Sequence, residues 1–466
     1  MTDDTPPTFS GVSPRLSMAA DSDRPRTESG IGALMPWADR LWAITYPAHG
    51  PDTGSGHGLF EITPDLEVEK RPESVVATCA NRMIHRETDQ LLIGPYAVDT
   101  DRRVRRFDGL LTDPDGNTNR LTATMEHLER PDELAYYLTM EGLLYEADVR
   151  SLEAELVADL NEELEVEDAP GVSHFKGGHT GAGRVVVTNN THYEAEMRGE
   201  RASGRLAEFD GEEWTVLERE PFMEAAGRKN FGEGVFATGW DAKSAILKLY
   251  AEGSWRTYRL PKGSRTFDHG WQTEWTRIRE VETERYLMDC HGTFYELSPV
   301  VHGGHVSGIR PVCTHLRVVP DFCTFRGLLV MAGNQTTPIN EANAHVGQPQ
   351  SGLWFGKPDD LWEWGKPQGW GAVWDDDPVD AEEASVPFLM TGYDRKCLHL
   401  AHDDDEAVAF DVEVDFRGDD TWHAHETVEV AAGGYEDYEF PAGFSAHWVR
   451  LRPDGDCTAT AQFTYT

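Results

Sequence analysis

Tyr286-Leu-Met-Asp-Cys-His-Gly-Thr-Phe-Tyr-Glu-Leu297 reads as a β-hairpin: an apolar strand, a His-Gly turn and an aromatic-rich return strand. The phrase recurs. Tyr137-Leu-Thr-Met-Glu-Gly142 is followed by Leu143-Leu-Tyr-Glu146, and Leu41-Trp-Ala-Ile-Thr45 by Gly58-Leu-Phe-Glu-Ile62. Looser copies occupy residues 90–107, 183–209, 234–258 and 327–364, which brings the total to seven. A hairpin repeated at such intervals predicts an all-β chain built as a seven-bladed β-propeller. One stretch competes with this reading. In residues 151–167 the apolar positions Leu152, Leu156, Val157, Leu160 and Leu164 recur at threes and fours, which predicts a helix.

Beyond Pro387 the pattern becomes simple alternation, in Phe410-Asp-Val-Glu-Val-Asp-Phe416, Glu426-Thr-Val-Glu-Val430 and His447-Trp-Val-Arg-Leu451. Alternating strands at regular spacing predict a small C-terminal β-sandwich-like segment. The boundaries read as a disordered acidic arm over 1–30, a propeller over 31–395 and a β-rich segment over 396–466.

Lys and Arg number 42 against 82 Asp and Glu, a net charge of −40, while 39% hydrophobic residues suffice for a core. Molar salt screens such self-repulsion, so the charge predicts a halophilic, acidic protein from a salt-rich cytoplasm. The sign disfavours nucleic acid and anionic membranes as partners. No run of eighteen apolar residues suggests a membrane span, and residues 1–30 lack the apolar core of a signal peptide, so a cytoplasmic location is expected. Six scattered cysteines form no C-x-x-C pair and read as small buried hydrophobes.

Residues just upstream of each hairpin should line the central funnel. They are rich in His, Arg and Lys where the rest of the chain uses Asp and Glu. Asn81, Arg82, Lys176, Lys229, Asn230, Arg317 and Gln335 are the candidate substrate-binding residues, and clamps of this type suit an anionic small molecule or oligosaccharide. His179 lies in a glycine-rich run, Lys176-Gly-Gly-His-Thr-Gly-Ala-Gly183, whose glycines allow close approach to a ligand. His269 and His315 are the other candidate catalytic histidines, with Glu274 and Asp321 as candidate acids. Both acids have a structural alternative, an ion pair to Arg277, Arg279 or Arg317. If His179, His269 and His315 meet, they could hold a divalent metal (Mn, Fe or Zn) together with Gln272. Trp354, Trp362, Trp364, Trp370 and Trp374 read as an elaborated outer strand pair and crossover, or else as a stacking surface for sugar rings.

The run 267–335 and Gly443-Phe-Ser-Ala-His-Trp-Val-Arg450 resemble a family of uncharacterised seven-bladed propellers, itself similar in pattern to sialidase-like, kelch-like and oligogalacturonate-lyase-like proteins. The resemblance covers most of the chain beyond Leu34. It departs from sialidases in its Asp-boxes, which appear only as near-misses at Asp415-Phe-Arg-Gly-Asp-Asp-Thr-Trp422 and Asp210-Gly-Glu-Glu-Trp214. Similarity to oligogalacturonate lyases implies a metal that grips a uronate carboxylate while a base takes the α-proton. The expectation is therefore a carbohydrate-active enzyme, a lyase or hydrolase of acidic, uronate-containing oligosaccharides, with its activity on the side of repeats four, six and seven. The alternative is a non-catalytic propeller that serves as a glycan-binding or protein-interaction scaffold.

Overall fold

Each of the seven hairpins is the middle pair of a four-stranded antiparallel unit, one blade of a β-propeller. The computed structural model describes residues 17–19, 29–47, 58–75, 77–166, 173–191, 204–227, 234–264, 275–298, 301, 303–335 and 350–466. From blade 1 to blade 7 the inner strands are Ser29–Trp37, Arg82–His85, Arg120–Glu126, Phe175–Gly181, Phe222–Gly227, Arg277–Glu282 and Phe322–Phe325. Each touches the next, and the last touches the first, so the ring closes. The middle strands are covered on both faces by the neighbouring blades. Leu134–Thr139 and Ala245–Ala251 are therefore buried at every position, which is why they read as continuous apolar runs rather than alternating ones.

Two exchanges tie the first and last blades of the ring. Ser17–Ala19, from the stretch expected to form a free arm, pairs antiparallel with Gln350–Gly356 and becomes the outer strand of blade 7. Asn334–Gln335, after the second strand of blade 7, pairs with Ser29–Trp37 of blade 1. The first exchange covers a sheet edge that would otherwise stand open. The helix expected over 151–167 shrinks to one turn, Leu160–Glu163. Ala154–Asp159 is instead the outer strand of blade 3, with Leu156 and Val157 exposed, while Leu160, Leu164 and Val166 pack under blade 4. Pairing with Leu143–Asp148 overrode the helical period there.

The sandwich is made of two four-stranded sheets around Phe388, Leu398, Leu400, Phe410, Val412, Leu451 and Phe463. Its first strands, Gly369–Val379 and Phe388–Leu389, lie upstream of residue 396. One sheet continues blade 5, with Arg259 of strand Ser254–Leu260 opposite Phe388. At this seam Lys262 is fully buried between Trp240 and Trp370, 5.3 and 5.4 Å from their ring centroids, and its Nζ donates to the Asp241 carbonyl at 2.6 Å. Lys243 adds an ion pair to Asp377 at 2.8 Å. Among the described residues, no helix is long and apolar enough to cross a membrane.

The exchanged strand and the seam each give a test. Deleting residues 1–20 removes the few ladder bonds of Ser17–Ala19 and should lower unfolding stability by about 2 kcal/mol, read as a lower urea midpoint. At the seam, burial first and the Asp241 carboxylate second push the Glu220 carboxyl up to about 7. A folded pKa above the unfolded one makes stability greatest below the unfolded carboxyl range, and stability falls as pH rises towards 7. Glu220→Gln should accordingly raise the unfolding free energy at about pH 8, read from urea unfolding, by about 1–2 kcal/mol after allowance for solvent screening, and should give no gain near about pH 4.

Candidate functional site

Inner strands meet at the propeller axis, so their side chains are the ones the ring brings together. A cavity of about 520 Å³ opens there, lined by blades 2 to 6. That volume falls within the roughly 300–1,000 Å³ typical of small-ligand sites. Blade 6 contributes Arg277 and Arg279, two residues apart and thus on one face of their strand, while Ile278 between them turns into the blade core.

These arginines belong to an ionic chain drawn from four blades. Arg82 of blade 2 donates through Nε to Asp321 Oδ2 at 2.7 Å, and Arg279 Nε donates to Asp321 Oδ1 at 2.7 Å. Arg279 Nη1 also reaches Glu224 Oε2 of blade 5 at 3.2 Å, and Arg277 Nη1 approaches the same oxygen at 3.6 Å. Three guanidiniums thus share two carboxylates, which leaves one positive charge in excess. Asp321 is fully buried and also accepts from the Leu34 amide at 2.7 Å. Burial alone would push its carboxyl up, but Arg82 and Arg279 outweigh burial and hold it down at about 2. Asp321 is therefore a fixed anion, not the proton-transferring acid expected from the sequence.

The other candidates divide. Arg82 and Asn81 line the cavity, but Arg82 is engaged with Asp321, and the buried Asn81 amide donates to Gly94 O at 3.1 Å and Thr124 Oγ1 at 2.7 Å. Lys176 lines the cavity with its Nζ 6.0 Å from the Trp275 ring centroid. His179 lines it as well, its ring lying where a side chain at Gly227 would stand: a Cβ there would be 2.6 Å from His179 Nε2. The glycines before it serve the ring rather than a ligand. A Cβ at Gly177 would stand 2.7 Å from the Met223 carbonyl of blade 5, and one at Gly178 would collide with Met125 of blade 3.

His315 is not in the cavity. It sits after the outer strand of blade 6, stacked on Phe294 with centroids 4.6 Å apart, its Nε2 3.0 Å from Asp289 Oδ1. Arg317 is also elsewhere, beside Trp275, Asp289 and His291 at a cleft of about 10 Å³, the size of a single water. His269, Gln272, Glu274, Lys229 and Asn230 lie outside the described residues. Gln335 is placed as backbone, in the strand that pairs with blade 1. The expected metal set is thus not assembled: His179 and His315 stand apart. Among the described residues no group of three or more His, Cys, Asp or Glu could hold an ion.

Blade 7 supplies Asp321 to the ionic chain, whereas blades 2, 3 and 5 join 4 and 6 in lining the cavity. The site is therefore wider than the side expected from the sequence. The Trp-dense segment is mostly core: Trp354 and Trp374 are buried, Trp354 meets Trp364 edge-to-face at 5.3 Å, and Trp370 covers Lys262. Trp362 is exposed, with Arg310 stacked on it at 4.6 Å. The near-miss Asp-box at Asp415 is a hairpin loop of the sandwich, where the carboxylate accepts from the amides of Arg417, Gly418 and Asp420.

All inner strands run the same way through a propeller, which gives the channel a polarity. Arg82, Lys176, Glu224 and Arg277 lie in the first halves of their strands, while His85, Glu126, His179 and Glu280 lie in the second. Glu126, Glu280 and His85 were not anticipated from the sequence, nor was the role of Arg277; the signal available was Arg277-Ile-Arg279, two cations on one face of an inner strand.

The chain is an all-β propeller. No family model matches it, and no curated protein does. Among solved structures, the Cps50 (Swd1) β-propeller domain of Myceliophteria thermophila is similar at 11% identity and a TM-score of 0.37, covering 72% of this chain and 99% of that one. PorZ of Porphyromonas gingivalis, a surface component of the type IX secretion system, gives 10% and 0.39, with 80% of this chain covered but only 44% of PorZ. A luciferin-regenerating enzyme gives 7% and 0.35, covering 74% and 93%. At these values the architecture rests on the sheets and on the closed order of the inner strands.

Asp321→Asn should leave Arg82 and Arg279 buried without their shared anion and destabilise the protein by about 3–5 kcal/mol. His315→Ala, which strips the buried Asp289 of one partner, should cost about 1–3 kcal/mol. Urea unfolding of both variants checks these values, and a change in turnover with unchanged stability would contradict the structural roles.

Proposed function

We propose that the axial channel binds an anionic sugar and that the protein is a carbohydrate-active enzyme, a lyase or hydrolase of uronate-containing oligosaccharides. The observation that carries this reading is the segregation of charge along the channel, with Arg82, Lys176, Arg277 and Arg279 gathered in its first half around only Glu224 and Asp321, in a chain whose net charge is −40. A buried cation without its own carboxylate is costly, and a carboxylate on a ligand removes that cost. The polarity of the channel adds to the reading. An acidic oligosaccharide anchored among Arg277, Arg279 and Lys176 would extend towards His179, Glu126 and Glu280, side-chain types suited to proton transfer. In this arrangement His179 is the group that moves a proton at the sugar, while the arginine half holds the charge. The same geometry without turnover would make the protein a glycan-binding propeller, since a fold of this kind does not fix a chemistry.

Incubation of the full chain with oligogalacturonates should give shorter products, with unsaturated ends for a lyase or new reducing ends for a hydrolase. His179→Ala should lower the rate about 100-fold or more with its thermal midpoint nearly unchanged. Binding by calorimetry without products in either assay supports the binding-protein reading. No binding of any acidic oligosaccharide overturns both.

A further inference from the structure

The axial charges alternate along the chain Arg82, Asp321, Arg279, Glu224, Arg277, and the alternation ends on a cation. Asp321 is saturated, with Arg82 contacting both of its oxygens, Arg279 one, and the Leu34 amide completing the set. Glu224 is shared, its Oε2 nearer to Arg279 than to Arg277. Arg277 is left with the longest contact in the chain, at 3.6 Å, and a bond from Nη1 to the Thr276 carbonyl at 2.8 Å. Its side chain is only 4% exposed, yet its Nε has no hydrogen-bond partner among the described residues. Nε of Arg184 and Arg259 is likewise unmatched, so what sets Arg277 apart is that its one carboxylate contact is the long one at 3.6 Å. Burial, reinforced by neighbouring Arg279 and incompletely offset by Glu224, lowers the Arg277 pKa, whereas Arg279, between two carboxylates, is raised.

The surroundings favour a planar anion at this end. The Arg277 guanidinium lies 5.4 Å from the centroid of Trp275, and Lys176 Nζ approaches the same ring at 6.0 Å, so two cations from blades 4 and 6 gather on one indole beside the cavity. Tyr46 of blade 1 packs on that indole with centroids 5.2 Å apart and fixes its position.

We infer that Arg277 is the specificity-determining residue of the channel, the seat of a ligand carboxylate that takes the next place in the alternation. This inference rests on the reading of the channel as an acidic-sugar site and names the group that site selects. The bound class is a sugar acid, and a neutral sugar of the same size has no counterpart for the open guanidinium. Glu224 competes with the ligand for Arg277, which sets the affinity below that of an unopposed arginine.

The test is calorimetry of the full chain with trigalacturonate and with the corresponding neutral trisaccharide. Wild type should prefer the acid. Arg277→Gln should lose at least about 10-fold in affinity for the acid and leave the weak binding of the neutral sugar unchanged. Arg277→Lys keeps the charge but not the planar fork and should fall between the two; it replaces the Gln variant as the readout if that variant fails to fold. Glu224→Gln, which removes the competitor, should bind the acid more tightly than wild type. If wild type prefers the acid and the folded Arg277 variants keep that preference, the assignment of Arg277 is wrong while the channel reading stands. If wild type binds neither sugar, the channel reading itself fails. An acid affinity that falls in Glu224→Gln would also overturn the seat, because it would place Glu224 as a support of the ligand rather than its rival.

Discussion

The ionic chain at the axis is the constraint on which the rest of the structure depends. Its members come from blades 2, 5, 6 and 7, so each bond ties together parts of the sequence far apart, up to 239 residues in the case of Arg82 and Asp321. Burying five charges is expensive, and their mutual attraction repays the cost only when the geometry is held fixed. The apolar blades provide that rigidity. Trp42, Tyr137, Leu247, Tyr295 and Val330 are fully buried between neighbouring sheets, and the inner strands are pressed against the axis by the stacking behind them. Stability thus comes from the blades, and the charged axis decides which inner strands face one another.

The fold was legible because its middle strands carry a redundant signal. The hairpins are predominantly apolar, punctuated by a turn residue, and repeated often enough to identify the architecture. Inner strands carry no such signal, and the reason is physical. They crowd at the axis, where Gly32, Gly177 and Gly178 are needed because a Cβ would meet a neighbouring strand. Their pairing slips by a residue between Ile31 and Ala33, Leu121 and Ala123, Phe175 and Gly177, and Phe222 and Glu224. Each slip breaks the period of two, so in those four strands alternation alone could not say which side chains face the channel. The helix expected over 151–167 fails for a related reason: an edge strand with one covered neighbour can carry almost any pattern, and Leu160, Leu164 and Val166 take their spacing from the turn that packs beneath blade 4.

Site residues were legible as a population and not as roles. A search for basic and histidine side chains upstream of each hairpin finds Arg82, Lys176 and His179, which do line the channel. It also finds His315 and Arg317, which follow an outer strand of blade 6 and bond within that blade. Residue type cannot separate the two groups, because a buried aspartate such as Asp289 recruits a histidine partner as readily as a ligand would. Asp321 illustrates the converse. As an isolated acid after a proline it suggests proton chemistry, but two guanidiniums and an amide lock it in its charged form.

Charge segregation joins the axis to the surface. A net charge of −40 lies mostly on side chains that face water, whereas the cations of the first half of the channel are enclosed by protein. Under the proposed function, an anionic ligand would cross a repulsive outer field before it met an attractive inner one. The two fields respond differently to salt: exposed charges are screened within about 3 Å at 1 M, while buried pairs are screened far less. Added salt would consequently remove the barrier to approach faster than it weakened the proposed seat at Arg277. An acidic exterior around a channel whose first half is cationic is then compatible with the proposed capture of an anion, provided the medium is concentrated enough to hide the exterior from that ligand.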